Sequence, residues 1–266
     1  MRDEPYDLRG KRVLVTGGSS GIGAALAEGF AARGAVVGIC ARRRDRLDDV
    51  LVRLRAHEPA SQAWTVDLAE LDGLEAFARA VEQDLGGVDV LVHNAGVPKR
   101  RTVFDLDPAQ IESVLRVNYL SPARLTLALL PTIVARHGRI VFVSSVAARL
   151  SPPGEAAYAA SKAALSAWAE SLQVDLRDTG VQTHVVNPGV IDTELFHLPD
   201  NDPTIAPIEA LPVDAVVEPV LTMIERGDFE IYVPEWFADV VASKYRDVGA
   251  FLDGSIAWAR EQTPAP

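Results

Sequence analysis

Cysteine is almost missing from this chain: Cys40 is the only one among 266 residues. No internal disulfide can form, and no Cys/His pattern suited to a metal is present. A reducing, cytoplasmic setting is therefore the expectation. Positive charge is also scarce, with Lys+Arg 26 against Asp+Glu 37 and a formal net charge of −11. A surface of that sign repels phosphate polymers and anionic lipid, so nucleic acid is not an expected partner. Long hydrophobic runs are lacking. The longest, Leu125–Ala135, is interrupted by Thr126, Pro131 and Thr132, and it falls short of the ~20 residues that cross a bilayer. Met1–Gly10 is charged and has no apolar centre, so it does not read as a signal peptide. The 5 histidines are scattered, and no metal site is expected. No repeat, low-complexity tract or Pro/Gly/Ser-rich linker divides the chain, which points to one domain.

What is present is a 48% hydrophobic content arranged in two alternating kinds of segment. Short Val/Ile-rich runs lie at Arg12–Thr16, Val36–Ala41, Gln62–Val66, Val88–His93, Arg139–Ser145, Val181–Asn187 and Phe229–Val233. Between them, helical periodicity covers Gly21–Arg33, Arg43–Ala56, Leu71–Leu85, Pro108–Arg136, Ala156–Thr179 and Val213–Arg226. Several runs are apolar at consecutive positions, as expected of strands covered on both faces. Repeated strand–helix units imply right-handed crossovers and an α/β, Rossmann-type doubly wound sheet. The stretch 194–212, with Pro199, Pro203, Pro207 and Pro212, reads as a lid or binding loop.

Three groups of residues carry chemistry. The first strand runs into Thr16-Gly17-Gly18-Ser19-Ser20-Gly21-Ile22-Gly23 and then an Ala-rich helix. Glycines there permit strained turn angles and let backbone N–H groups approach a diphosphate at a helix N-terminus. A purely structural turn is the alternative. Tyr158 and Lys162 stand four residues apart, which puts both on one helix face. An ammonium beside a phenol stabilises the phenolate and so favours acid–base work near neutral pH. Finally, Ala41 occupies the position at the end of the second strand where an acidic residue would bind both adenosine ribose hydroxyls, and Arg42 and Arg43 follow it. Guanidinium suits a 2′-phosphate, so NADP(H) is expected over NAD(H). The competing reading is that Arg42–Arg44 only solvate a helix start.

Gly17/Gly21/Gly23, Asn94-Ala95-Gly96, Asn118, Ser145 and Tyr158/Lys162 occur in the order and spacing of one family. Over roughly Lys11–Thr193 the sequence resembles the short-chain dehydrogenase/reductase family. The resemblance implies a seven-stranded parallel sheet with nicotinamide at the strand C-terminal ends. It implies Tyr158 as the general acid–base, with Ser145 bonded to the same substrate oxygen. Lys162 would bind the nicotinamide ribose and depress the Tyr158 pKa, and Asn118 would hold a relay water. Pro188, Ile191 and Thr193, in Asn187-Pro-Gly-Val-Ile-Asp-Thr193, would hold the carboxamide. Asp67 and Leu68 would meet the adenine, while Asn94 and Gly96 would border the adenosine. Ser19, Ser20 and Ile22 belong to the diphosphate turn. His93 replaces the more usual first Asn of the Asn94 motif.

The activity implied is hydride transfer between NADP(H) and a small-molecule carbonyl or secondary alcohol. A non-catalytic dinucleotide-binding regulator on the same fold is the alternative. A homodimer through the fourth and fifth helices, or a homotetramer, is implied as well. Residues 1–233 form the expected catalytic unit, and 234–266 form a C-terminal extension. There an amphipathic Asp239–Arg260 stretch replaces the family's short Gly-rich tail. Such a tail helix covers a substrate cleft, joins a partner subunit or touches a membrane surface. Lys99-Arg100-Arg101 is a candidate contact for an anionic substrate, with a solvated loop as the alternative. Leu195, Phe196 and Leu198 form a candidate apolar lid, with core packing as the alternative. Cys40 reads as core.

Overall fold

Successive residues of one strand point to opposite faces, so a run apolar at every position must be covered on both sides. The computed structural model describes residues 5–203 and 208–262 and bears this out. Val13 and Val15 enter one core with Val37, Ile39, Val90, Val92, Val141 and Val143. Leu14 enters the other with Cys40, Leu91, Ile140 and Phe142. The strands are β1 (Arg12–Thr16), β2 (Val36–Ala41), β3 (Gln62–Thr65), β4 (Val90–His93), β5 (Arg139–Val143), β6 (Gln182–Pro188) and β7 (Glu230–Val233). They form one seven-stranded sheet in the order β3-β2-β1-β4-β5-β6-β7, with every pairing parallel. This is the Rossmann-type doubly wound sheet.

The helices are α1 (Gly21–Ala32), α2 (Arg44–His57), α3 (Leu74–Leu85), α4 (Pro108–Leu115), α5 (Ser121–Ala135), α6 (Ala147–Leu150), α7 (Ala156–Asp175), α8 (Val217–Arg226), α9 (Phe237–Arg246) and α10 (Val248–Gln262). On one face α1 contacts α2 and α8; on the other α5 contacts α3 and α7. The expected continuous helix over Pro108–Arg136 is interrupted. A π-helical turn, Arg116–Leu120, separates α4 from α5. Pro122 explains the break, because it has no N–H to give the main-chain carbonyl of Asn118 four residues earlier. Ser121 instead donates back to Arg116, five residues away. Single π turns of this kind are frequent at functional sites.

Two other expectations are refined. The 194–212 loop contains a 3-10 turn, Glu194–His197, and its base is closed by a parallel bridge between Ile191 and Leu211. Pro207 and the Phe196 side chain lie outside the described residues. The Asp239–Arg260 stretch falls into two helices because Asp247 is extended and its carboxylate accepts the Ala250 N–H at 3.0 Å. An aspartate in that position caps a new helix. Helix α9 packs its Phe237 and Val241 inward and contacts β7 and α6. Pro264, Ala265 and Pro266 are outside the described residues.

The glycine-rich turn between β1 and α1 is held by close approach. Gly17 has a left-handed φ of 67°, which a side chain would strain. A Cβ on Gly23 would lie 2.4 Å from the Gly17 carbonyl oxygen and 2.3 Å from the Asn94 amide nitrogen. Gly23→Ala is therefore expected to destabilise the fold by about 2–4 kcal/mol, measured by urea unfolding against wild type. Stability within ~0.5 kcal/mol of wild type would contradict the tight packing of this turn.

Candidate active site

Strand order reverses between β1 and β4, so the crossovers leaving them run to opposite sides. A crevice opens beyond their carboxyl ends. In this structure it is a cleft of about 870 Å³, walled at one end by the glycine-rich turn and at the other by Ser145, Tyr158 and Leu150. Thr16 and Asn94 fix its floor. The Thr16 hydroxyl donates to Val92 O at 3.2 Å and accepts the N–H groups of Asn94 and Ala95 at 3.0 and 3.1 Å. The Asn94 amide returns bonds to the carbonyls of Thr16 and Gly17.

Helix α1 begins without a side-chain cap and with no acidic residue in its first turn. Its leading N–H groups therefore suit an anion, and Gly17, Ser19, Ser20, Gly21 and Ile22 border the cleft there. Gly23 does not reach it; buried against Gly17 and Asn94, it shapes the turn. Asp67, Leu68, Asn94 and Gly96 line the cleft, as do Pro188, Ile191 and Thr193. A dinucleotide fits these groups in their observed arrangement.

The expected catalytic residues come together. Ser145 sits just past β5, its hydroxyl accepting the Ala147 N–H at 3.1 Å and bonding the Tyr158 side chain. Tyr158 and Lys162 lie on α7, with the ammonium 5.9 Å from the phenol ring centre. Lys162 Nζ donates to Val143 O at 2.8 Å. Asn118, fully buried in the π turn, does not line the cleft. Its side chain donates to Val97 O and Ser161 Oγ and accepts the Val97 N–H at 2.8 Å. Ser144, the neighbouring serine, also borders the cleft but commits its hydroxyl to Lys162 O and Ser166.

Burial governs the acid–base properties. It pushes the Tyr158 phenol up to about 12, with Glu155 adding to the rise while the Ser145 hydrogen bond and Arg100 oppose it. It pulls the Lys162 ammonium down to about 8. The expected depression of the Tyr158 pKa by Lys162 is not seen: desolvation dominates, and the groups that oppose it are Ser145 and Arg100. Glu155, which no motif singled out, is raised to about 7 by burial, with Arg100 opposing. Its position, one helical turn before Tyr158, is the signal that was available in the sequence.

Other expectations divide. Lys99 is nearly buried and pairs with Asp200 at 2.7 Å, and Arg101 pairs with the same carboxylate at 3.2 Å. The basic triplet thus anchors the 194–212 loop, with Lys99 and Arg101 sharing the Asp200 carboxylate and Arg100 donating to Asp202 O at 2.8 Å. Leu195 and Leu198 line the cleft. Trp258 and Ala259 of α10 line it too, which answers where the tail goes. His93, in place of the usual Asn, bonds Thr126 at 2.8 Å and stacks on Phe142. Burial pulls its pKa down to about 3, so it stays neutral. Cys40 is buried core, its thiol pushed up to about 12. Among the described residues, no cluster of three or more His, Cys, Asp or Glu is suited to a metal, and no helix is long and apolar enough to cross a membrane.

The family model described as short chain dehydrogenase matches residues 11–202. The chain belongs to this family. A short chain dehydrogenase of the fungus Pseudocercospora fijiensis is 41% identical over 192 residues, covering 71% of this chain and 62% of that protein. Mouse dehydrogenase/reductase SDR family member 7B is 36% identical over 202 residues, covering 73% of this chain and 62% of that protein. The matches thus span just over three-fifths of these relatives' length. Among solved structures, a short chain dehydrogenase from Burkholderia cenocepacia in complex with NADP has a TM-score of 0.77 and 31% identity, covering 85% of this chain and 97% of that one. One from Burkholderia phymatum in complex with NAD has a TM-score of 0.83 at 24% identity, covering 91% and 95%, and supports the fold alone. The family match ends before α8, so the helices that close the cleft's far end lie beyond it.

In this dehydrogenase-family site, Glu155 yields a pH prediction. Its folded pKa lies above that of an ordinary carboxyl, so the contribution it makes to stability is complete below pH ~4.5 and is lost as pH rises through ~7. Glu155→Gln is expected to raise the melting temperature at pH 8 and to converge with wild type toward pH 4–5. Removing the carboxylate should also move the acidic limb of any alcohol-oxidation profile to lower pH, because it lowers the Tyr158 pKa. An identical melting temperature in both proteins across that range would contradict the raised Glu155 pKa.

Proposed function

We propose that this chain is an NADP(H)-dependent oxidoreductase acting on a carbonyl or secondary alcohol, with Tyr158 as general acid–base. The observation that carries this reading is the meeting of Ser145, Tyr158 and Lys162 on one wall of a cleft whose other end is an uncapped helix N-terminus. The NADP in the Burkholderia cenocepacia relative lends support, as does 5-hydroxy-NADP in an alcohol dehydrogenase of Thermococcus sibiricus.

When bound, the cofactor supplies the hydride and, in its oxidised form, a positive charge. The chain supplies everything else. In reduction Tyr158 gives its proton to the carbonyl oxygen, and Ser145 donates to the same atom as negative charge grows there. The Ala147 N–H already occupies one lone pair of Ser145, which helps aim the hydroxyl. Lys162 gives one of its three protons to Val143 O and keeps two for the ribose hydroxyls. The Asn118 side chain is engaged with Val97 and Ser161. A water at this position would therefore use its main-chain carbonyl, the group that Pro122 leaves without its usual helical donor. Pro188, Ile191 and Thr193 would hold the carboxamide, Asp67 and Leu68 the adenine.

Cofactor choice rests on Arg42 and Arg43 at the adenosine end. Arg42 is exposed and borders the cleft. The substrate end is lined by Leu150, Pro152, Pro153, Leu195, Leu198 and Trp258, which suits a carbonyl with a bulky apolar body. Exposed Leu120, Leu127 and Val174 offer apolar surface for a homodimer, and the proposed setting is the cytoplasm.

Tyr158→Phe is expected to lower turnover about 10²-fold or more while leaving NADPH affinity, read by fluorescence, within two-fold; equal turnover with a panel of ketones and alcohols would overturn the role. Arg42→Asp should shift the ratio of kcat/KM for NADPH over NADH at least roughly ten-fold toward NADH, and an unchanged ratio would sink the NADP(H) assignment. Trp258→Ala should raise KM for bulky apolar carbonyls about ten-fold with little change for small ones, as steady-state kinetics would reveal.

A further inference from the structure

We propose that Glu194 tunes cofactor preference by competing with a 2′-phosphate for Arg43, and so couples the substrate loop to the adenosine end of the cleft. The inference rests on the NADP(H) reading above. Arg43 stands just before α2, and its guanidinium is shared between two elements. One nitrogen meets Glu194 Oε2 at 2.8 Å, and another donates to Ser20 Oγ at 3.0 Å. The other carboxylate oxygen of Glu194 faces Arg46 at 3.3 Å. One acidic side chain therefore engages two arginines, of which Arg43 borders the cleft where a 2′-phosphate would need it.

Glu194 is not remote from the cofactor's other end. It follows Thr193, which lines the cleft, and a Cβ on Gly21 would lie 3.1 Å from the Thr193 methyl carbon. It also opens the 3-10 turn that begins the substrate loop. Arg43 and Arg46 hold its carboxyl below the usual range, so it is anionic throughout the neutral region.

The consequence follows from charge and exposure. Arg43 and Glu194 are each about half exposed, at 46% and 47% of the side chain, and an exposed pair of this kind is weak enough to exchange partners. A phosphate offers more charge and more acceptor oxygens than a carboxylate, so it displaces Glu194 from Arg43. While Glu194 remains nearby, its charge opposes the phosphate. Both effects weaken NADP(H) and leave NAD(H) untouched, since that cofactor has only a hydroxyl there. Displacement also frees the first turn of the substrate loop, so the two cofactors leave the loop held to different degrees.

The test is direct binding, with hydrogen exchange as a second readout. Dissociation constants for NADPH and NADH would be measured by fluorescence titration on wild type, Glu194→Gln and Arg42→Asp. Glu194→Gln is expected to tighten NADPH about three- to ten-fold, leave NADH within two-fold, and lose the gain at high salt. In wild type, backbone amides of 194–203 should exchange faster with NADP than with NAD, a difference that disappears in Glu194→Gln. An NADPH-to-NADH ratio unchanged within two-fold in Glu194→Gln overturns the proposal. So does equal exchange of this segment with the two cofactors in wild type, a measurement that needs no variant to fold. An Arg42→Asp ratio equal to wild type overturns the NADP(H) reading instead, so the two failures are distinct.

Discussion

The Thr16 hydroxyl is the joint on which the site depends. It makes three hydrogen bonds, one given to Val92 O and two received from the N–H groups of Asn94 and Ala95. That is its whole capacity of one donor and two lone pairs. The bonds lock the carboxyl end of β1 to that of β4 where the sheet changes winding direction. Asn94 then ties back to the glycine-rich turn. The diphosphate end and the floor of the cleft are thereby parts of one rigid junction, and positioning to within fractions of an ångström is what catalysis by orientation requires.

On the other side of the cleft, burial sets the problem that the chemistry must solve. Tyr158 and Lys162 are moved by burial in opposite directions, phenol up and ammonium down. Each shift favours the neutral form. The neutral phenol is the form that donates a proton in reduction. Proton loss in oxidation needs added positive charge in the cleft, and an oxidised nicotinamide is one source of it. Glu155 works against that step when ionised. With its pKa raised to about 7, Glu155 would make the proposed role of Tyr158 sensitive to pH near neutrality.

The sheet was legible because its signal is local and redundant. Consecutive apolar residues in Arg12–Thr16 and Arg139–Val143 require cover on both faces, and every strand was found within two residues of its expected ends. Tyr158, Lys162, Ser145 and the glycines were legible from spacing. What escaped depends on contacts between residues far apart in sequence. Nothing near Lys99 indicates that Asp200 will neutralise it, and nothing near Glu194 indicates that Arg43 will meet it from 151 positions away. The π turn lay within reach of the sequence, since Pro122 follows Asn118 by four residues, but helical periodicity alone does not register a missing N–H.

On the proposed reading, this difference places specificity outside the family match. The family match covers the strands and turns whose backbone geometry a dinucleotide dictates, and it stops at residue 202. The far wall of the cleft is built from Leu195 and Leu198 in the loop, Phe237 in α9 and Trp258 in α10. Apolar packing constrains volume and hydrophobicity more than identity, so these side chains can vary without disturbing the Thr16 joint. Helix α10 buries none of its own residues fully, yet it places Trp258 at the cleft. A helix held so lightly contributes little to the stability of the sheet. On the proposed reading, its placement serves the substrate end of the cleft more than the fold.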